Sequence, residues 1–403
     1  MGKRPPRSRA AQLQRLVAPF ERAAQTISAE IRERHLPFGT IFDPVFAAPQ
    51  SDEIVAYSRA GDSAIWTGHY LAAESFRFAV SGAPDALGNA VLAVESLQAL
   101  VDVSGTNLLA RARIPADSPF AAAVLREEAP NGIHSSQIGG RLFHWIGNTS
   151  RDQYLGVFFG LSVAYEWIHN AALRGRIAAL ATRMLDFLIA NNWNVVMPNG
   201  SISTSFLPRD DQLLSMLQTG RQVHPQRFDS LYRNERLFRS LRVIVPIAFD
   251  VLDDHDSYFK FNLDAIALYN LIRLEAPGTH RIRYLDAYDV LRRTIDDHGN
   301  AHFNMIDRAL KGPDSRRDAA TVELLRAWLR RPRRDFFVDL RDAVSACGDN
   351  RACQPIPVEQ RVRSDFLWQR SPFQLSGGGD GLIESPGIDF LLPFWMARAY
   401  RLL

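Results

Sequence analysis

Two cysteines in 403 residues leave little for a disulfide framework or a tetrahedral zinc site. No run approaches the ~18 apolar residues of a membrane-spanning helix. The chain has no Gly-x-Ser-x-Gly elbow, no glycine-rich phosphate loop ending in Lys-Ser/Thr, and no His-Glu-x-x-His. The sequence marks of α/β-hydrolases, P-loop enzymes and zincins are therefore missing. Charge of one sign is also missing: 47 Lys+Arg face 44 Asp+Glu, a net +3 that is too mild to argue for nucleic acid. Basic residues cluster at Lys3, Arg4, Arg7 and Arg9 and again at Arg330, Arg331, Arg333 and Arg334, without interleaved aromatics. They read as a solvated arm and a surface loop. The first residues carry charge but no apolar h-region, so they are not an intact signal peptide.

The cysteines, Cys347 and Cys353, stand six positions apart around Gly-Asp-Asn. That spacing suits a small disulfide loop. A redox pair or half a metal site is the alternative, but no second cysteine pair exists and His302 lies 45 positions before Cys347. A disulfide implies an exported protein, periplasmic or extracellular, with its signal removed; a cytoplasmic protein is the alternative. No metal or cofactor motif is found. Asp253-Asp254-His255-Asp256 is acidic, yet its spacing is one residue short of the Asp-Asp-x-x-Asp metal box of terpene cyclases. It reads as a helix end.

What is present is helix. With 46% hydrophobic and 23% charged residues the composition is that of a globular protein. Apolar periodicity predicts helices over about 9–34, 63–80, 84–104, 151–169, 171–192, 210–222, 226–252, 260–275, 281–297, 303–310, 319–330, 336–346 and 388–402. Strand-like alternation appears only in 194–208, and no convincing strand pair is expected. The longest irregular part of the first half, to about Asn148, holds His134, His144 and Trp145, and long ordered loops are often functional. Helical hairpins without a fixed 30–45-residue period argue against an open solenoid. The expectation is an all-α (α/α)6 toroid as a single domain over 36–403, with 1–35 as a basic arm and a helix packed on it.

The most informative stretch is Gly61-Asp62-Ser-Ala-Ile-Trp66-Thr-Gly-His69-Tyr70. It delivers an acid, an indole, an imidazole and a phenol within two turns of a helix start. Trp and Tyr faces stack on pyranose C–H faces, while Asp and His bind hydroxyls or move protons. A capping Asp with a buried Trp is the structural alternative. Asp62, Asp152, Asp264 and Asp210 or Asp211 recur near helix starts, and glycoside hydrolysis needs two carboxylates.

Three segments together resemble a mostly uncharacterised group of bacterial (α/α)6-toroid proteins of carbohydrate-active type. They are Gly61–Ala73, Thr149-Ser150-Arg-Asp152-Gln153 with Phe158-Phe159, and Phe390-Leu-Leu-Pro393-Phe-Trp395-Met-Ala-Arg398. The blocks Lys260-Phe-Asn262-Leu-Asp264 and His302-Phe-Asn304-Met-Ile are similar as well. In that group the second block often reads Ser-Asp-Glu, where this chain has Gln153. The Asp264 block often carries paired acids, where only Asp264 stands here.

The resemblance and the residues together imply glycan processing in a cleft at one end of the ring. Hydrolysis is expected first, with Asp62, Asp152, Asp211, Asp264, His69 and Tyr70 as candidate catalytic groups. Trp66, Gln153, Tyr258, Asn262, His302, Asn304 and Trp145 are candidate substrate-binding groups. A polysaccharide lyase using Tyr or His as base and acid is the second reading. A non-catalytic glycan-binding or cell-envelope protein is the third. The expected partner is an oligo- or polysaccharide.

Overall fold

A computed structural model describes residues 9–252 and 257–403, with side chains from residue 17 onward. The basic residues at 3, 4 and 7 and the acidic run 253–256 lie outside the described residues.

Fourteen α-helices are described. They are α1 Arg9–Glu30, α2 Ser63–Ser81, α3 Pro84–Asp102, α4 Ala121–Glu127, α5 Arg151–Trp167, α6 Ala171–Ala190 and α7 Asp210–Val223. There follow α8 Pro225–Arg239, α9 Ile244–Leu252, α10 Phe259–Arg273, α11 Thr279–Thr294, α12 Ala301–Lys311, α13 Ser315–Trp328 and α14 Ile388–Ala399. Six of them close a ring. α2 packs on α5, α5 on α7, α7 on α10, α10 on α12, α12 on α14, and α14 returns to α2. An outer layer covers it: α3 lies against α2, α6 against α5 and α7, α8 against α7, α11 against α10, α13 against α12, and α1 against α14. This is an (α/α)6 toroid.

The layers follow from the sequence. The inner helices are buried on nearly every face: 63–77 of α2 and 260–272 of α10 are buried without a break. A helix enclosed on all sides belongs at the centre of a fold. Outer helices such as α6 bury one stripe, through Ile177, Leu180, Ala181, Met184, Leu185 and Leu188.

The crossing of α2 and α5 is the tightest. A Cβ on Gly68 would stand 2.0 Å from the Gly156 carbonyl oxygen, and one on Gly160 would stand 2.3 Å from that of Gly68. Only glycine permits this approach, which sets the starts of α2 and α5 side by side.

Links from an inner helix to the next outer one are brief, as at 82–83, 168–170 and 312–314. Four links from outer to inner are long, 31–62, 103–150, 191–209 and 329–387, whereas that from α11 to α12 is brief, 295–300. All the long connections therefore gather at the end where the inner helices begin, and they wall a cleft there.

Those connections hold the strands, contrary to the expectation of no convincing strand pair. β1 Asp43–Phe46 pairs with β2 Ile54–Ser58. β3 Arg113–Pro115, β4 Ile133–Ile138 and β5 Arg141–Ile146 form a three-stranded sheet in the order β3-β5-β4. β6 Asn194–Val196 pairs with β7 Ile202–Ser205, where the alternation was noted. The β4–β5 hairpin turns through Gly139 and Gly140, both at positive φ (56° and 81°), the conformation that a two-residue hairpin needs.

Two helical expectations are corrected. The single helix over 226–252 is divided at 240–243, because Pro246 has no N–H to donate and is tolerated only in a first turn, where α9 places it. The segment 336–346 is not helical. β8 Val338–Asp339 pairs with β9 Ser376–Gly377, and the Asp339 carboxylate accepts the Arg341 backbone N–H at 3.1 Å. Tertiary partners and an Asp turn override the apolar spacing.

Candidate functional site

The cleft has a volume of about 360 Å³. The start of α2 contributes Asp62, Ile65 and Trp66, α5 contributes Asp152, and the start of α10 contributes Tyr258, Phe259, Asn262 and Leu263. The fourth wall is Asp365, Gln369, Arg370, Ser371 and Gln374, from the long tail before α14. A side chamber of about 20 Å³ continues past Asp62, Trp66 and Asp365 toward Asp43 and Arg59.

Asp62 occupies the N-cap position of α2, but its side chain makes no capping bond. Its Oδ1 accepts from Gln153 Nε2 at 3.1 Å, and Gln153 Oε1 accepts the Ile65 N–H at 3.0 Å. The capping alternative is thus not what this side chain does. Burial pushes the Asp62 carboxyl up to about 7, and the negative charge of Asp152 adds to the push. Arg111 opposes, Asp365 adds further negative charge, and the Gln153 amide steadies the charged form. Arg111 is fixed by the Gly61 carbonyl at 2.9 Å and the Asn148 carbonyl at 2.9 and 3.1 Å. Asp152 sits in the first turn of α5, where Ser150 Oγ donates to its Oδ1.

Trp66 is 7% exposed and turns that edge to the cleft. Phe366 meets it edge-on at 4.8 Å. Beneath it, His69 has no access to solvent. Its Nδ1 lies 2.9 Å from the Ile65 carbonyl, which can only accept, so Nδ1 carries the proton and Nε2 accepts from Asn262 Nδ2 at 3.2 Å. Burial lowers His69 to about 4, so it is neutral at ordinary pH. His302, also fully buried, stands under Trp368 with ring centroids 4.9 Å apart. It is pushed well below its usual value by burial and by His69.

The structure therefore brings Asp62, Asp152, Trp66, Tyr258 and Asn262 to one cleft, with Gln153 directly behind Asp62. Other candidates stand elsewhere. Asp211 and Asp264 are buried partners of Arg209, at 2.9 and 2.6 Å, with Asp250 on the same guanidinium. Arg209 is the cation these acids need in order to be buried, and they line no cleft. Asp210 faces outward to Arg239 and Arg242. Tyr70 is fully buried beside Ser28 of α1 and Glu74: at i+4 it shares the Trp66 side of α2 but lies a turn further along the helix, away from its start. His69 and His302 lie below the cleft floor. Asn304 lines a different cavity, with Asp296 and Arg316 on the outer wall. Trp145 stacks on His134 at 4.2 Å within the β-sheet, its indole N–H donated to Ser136.

The residues of the fourth wall were not among the sequence candidates. The signal was Asp365-Phe-Leu-Trp368-Gln-Arg-Ser, an aromatic and charged run inside the longest irregular stretch of the chain. The cysteine pair forms a disulfide, with Cα atoms 4.8 Å apart. Among the described residues no helix is long and apolar enough to cross a membrane, and no cluster of His, Cys, Asp or Glu could hold a metal ion.

No family model matches the chain, and no curated protein matches it. Among solved structures it is similar to cellobiose 2-epimerase from Spirochaeta thermophila DSM 6192, at 11% identity and a TM-score of 0.44. That similarity covers 95% of this chain and 98% of that one.

Proposed function

We propose that the protein is a glycan-processing enzyme, and specifically a glycoside hydrolase whose acid is Asp62 and whose second carboxylate is Asp152. The observation that carries the reading is the pair itself. Two carboxylates from adjacent inner helices share one cleft beside an indole edge, and burial and mutual repulsion drive one of them up to about 7. A carboxyl that keeps its proton near neutral pH can give it to a leaving glycosidic oxygen, while its neighbour's negative charge favours the oxocarbenium-like transition state. In the balanced step, the C–O bond to the leaving sugar breaks and that oxygen takes the Asp62 proton. Water then supplies hydroxyl to the anomeric carbon and returns a proton to the pair. Trp66 offers an apolar indole edge, and Asn262, Gln369 and Gln374 offer amide groups to hydroxyls.

The lyase reading finds less support. It needs a cation to neutralise a uronate carboxylate and an accessible Tyr or His. Tyr70, His69 and His302 are all sealed from solvent, and Tyr258, which lines the cleft, is only 2% exposed. The test is a panel of neutral and acidic glycans with two readouts, new reducing ends and the ultraviolet absorbance of unsaturated uronates. Hydrolysis gives the first without the second. Absorbance alone would replace the hydrolase by a lyase, and silence in both would leave a binding protein.

A further inference from the structure

Asp365 reaches the cleft from the tail, not from the helical ring. It lines both the main cleft and the side chamber, as Asp62 and Trp66 do. Its Oδ2 accepts from Arg370 Nε at 2.6 Å and from Ser364 Oγ at 2.7 Å. Among the described residues its Oδ1 accepts no hydrogen bond. The described lining thus carries three carboxylates and a single cation, Arg370, which is paired with Asp365 itself. The guanidiniums just behind are engaged too: Arg59 with Asp43 at 2.9 Å, and Arg111 with the Gly61 and Asn148 carbonyls.

We propose that Asp365 is a specificity-determining residue that makes this cleft select uncharged sugars and exclude uronates and other anionic sugars. The inference rests on the reading of the cleft as a glycan site. A neutral sugar presents hydroxyl donors, and free carboxylate oxygens accept them in charge-assisted bonds. An anionic sugar would meet Asp152 and Asp365 beside the proton-holding Asp62, with no unengaged guanidinium to neutralise it, and specificity is set as much by such repulsion as by attraction.

The experiment measures binding by calorimetry for the wild type and Asp365→Asn, using oligoglucosides and the matched oligoglucuronides, with reducing-end release followed in parallel. The expected result is at least tenfold tighter binding of the neutral series by the wild type, with that ratio reduced several-fold in Asp365→Asn. Raising the salt concentration should narrow the ratio in the wild type without any substitution, because screening weakens the repulsion. Equal binding of both series by the wild type, or a ratio unmoved by both the substitution and salt, overturns the inference. Neutral glycans hydrolysed while glucuronides bind equally well would overturn only the selection. Neutral-selective binding without hydrolysis would support the selection and sink the hydrolase. No binding of either series would sink both.

Discussion

Gln153 holds Asp62 with one end of its amide and the first turn of α2 with the other. Nε2 donates to Asp62 Oδ1 at 3.1 Å, and Oε1 accepts the Ile65 N–H at 3.0 Å. One buried side chain thus orients the proposed acid and satisfies a helix-end donor. Gln153→Leu leaves both groups unpaired and is expected to destabilise the fold by about 1–3 kcal/mol. It should also cut kcat more than it raises KM. Gln153→Glu puts a third carboxylate against Asp62. It is expected to move the pH limb of kcat/KM upward, which a pH–rate profile reads directly.

The proximity of Asp62 and Asp152 depends on glycines that touch neither. A methyl at Gly156 would fall 2.5 Å from Ile65 Cγ1 and 2.7 Å from its carbonyl oxygen, and one at Gly68 would fall 2.0 Å from a backbone oxygen. Backbone cannot yield as a flexible side chain can, so Gly68→Ala or Gly156→Ala should part α2 from α5. The expected cost is about 2 kcal/mol or more, on the scale of overpacked cores. Turnover should fall by at least tenfold even at temperatures where the variant stays folded. A melting curve beside an activity assay checks both.

The raised carboxyl of Asp62 makes stability depend on pH with a definite sign. The folded state holds this proton between the unfolded value of 3.8 and about 7, so that contribution is present at low pH and is lost as pH rises through the window. Asp62→Asn, which still accepts from Gln153, should therefore be more stable than the wild type above pH 7. The gain should be about 1–2 kcal/mol after allowance for the solvent in the cleft, and it should vanish near pH 4. Activity has the complementary dependence: wild-type kcat/KM is expected to fall as pH rises through about 7. The groups that set this limb are Asp152 and Asp365, which raise it, and Arg111 and Gln153, which lower it.

The Cys347–Cys353 disulfide closes a short loop in the tail, and no residue of 347–353 lines the cleft. Loop-closure entropy for so few residues is about 2 kcal/mol. Reduction should add about two mass units, one hydrogen per sulfur. It should lower the melting temperature slightly and leave kcat/KM on any glycan substrate unchanged.

The ring was legible because inner and outer helices carry different burial patterns, continuous in α2 and α10 and one-sided in α6. The first half of the cleft was legible because Asp62, Trp66 and Asp152 sit near helix starts, where a toroid opens. Asp264 and Asp211 misled for a physical reason. An acid near a helix start looks the same whether it faces solvent or a buried Arg209, and only tertiary packing chooses. Asp365 and Trp368 were hidden because their segment has no period; buried anchors hold it, among them Asp389, which accepts the Leu367 N–H at 3.0 Å. The β4–β5 hairpin was readable in principle from Gly139-Gly140.

The central claim is that Asp62 and Asp152 act on a glycosidic bond as a pair. It is tested most directly by reducing-end release from a neutral oligosaccharide by the wild type, Asp62→Asn and Asp152→Asn, with binding measured on the same ligand. The expected result is a loss of at least 100-fold in kcat for each variant, in line with general acid–base contributions, and a dissociation constant within a few-fold of the wild type. Variants that turn over at wild-type rate, or a wild type that binds the oligosaccharide and never cleaves it, would contradict the claim.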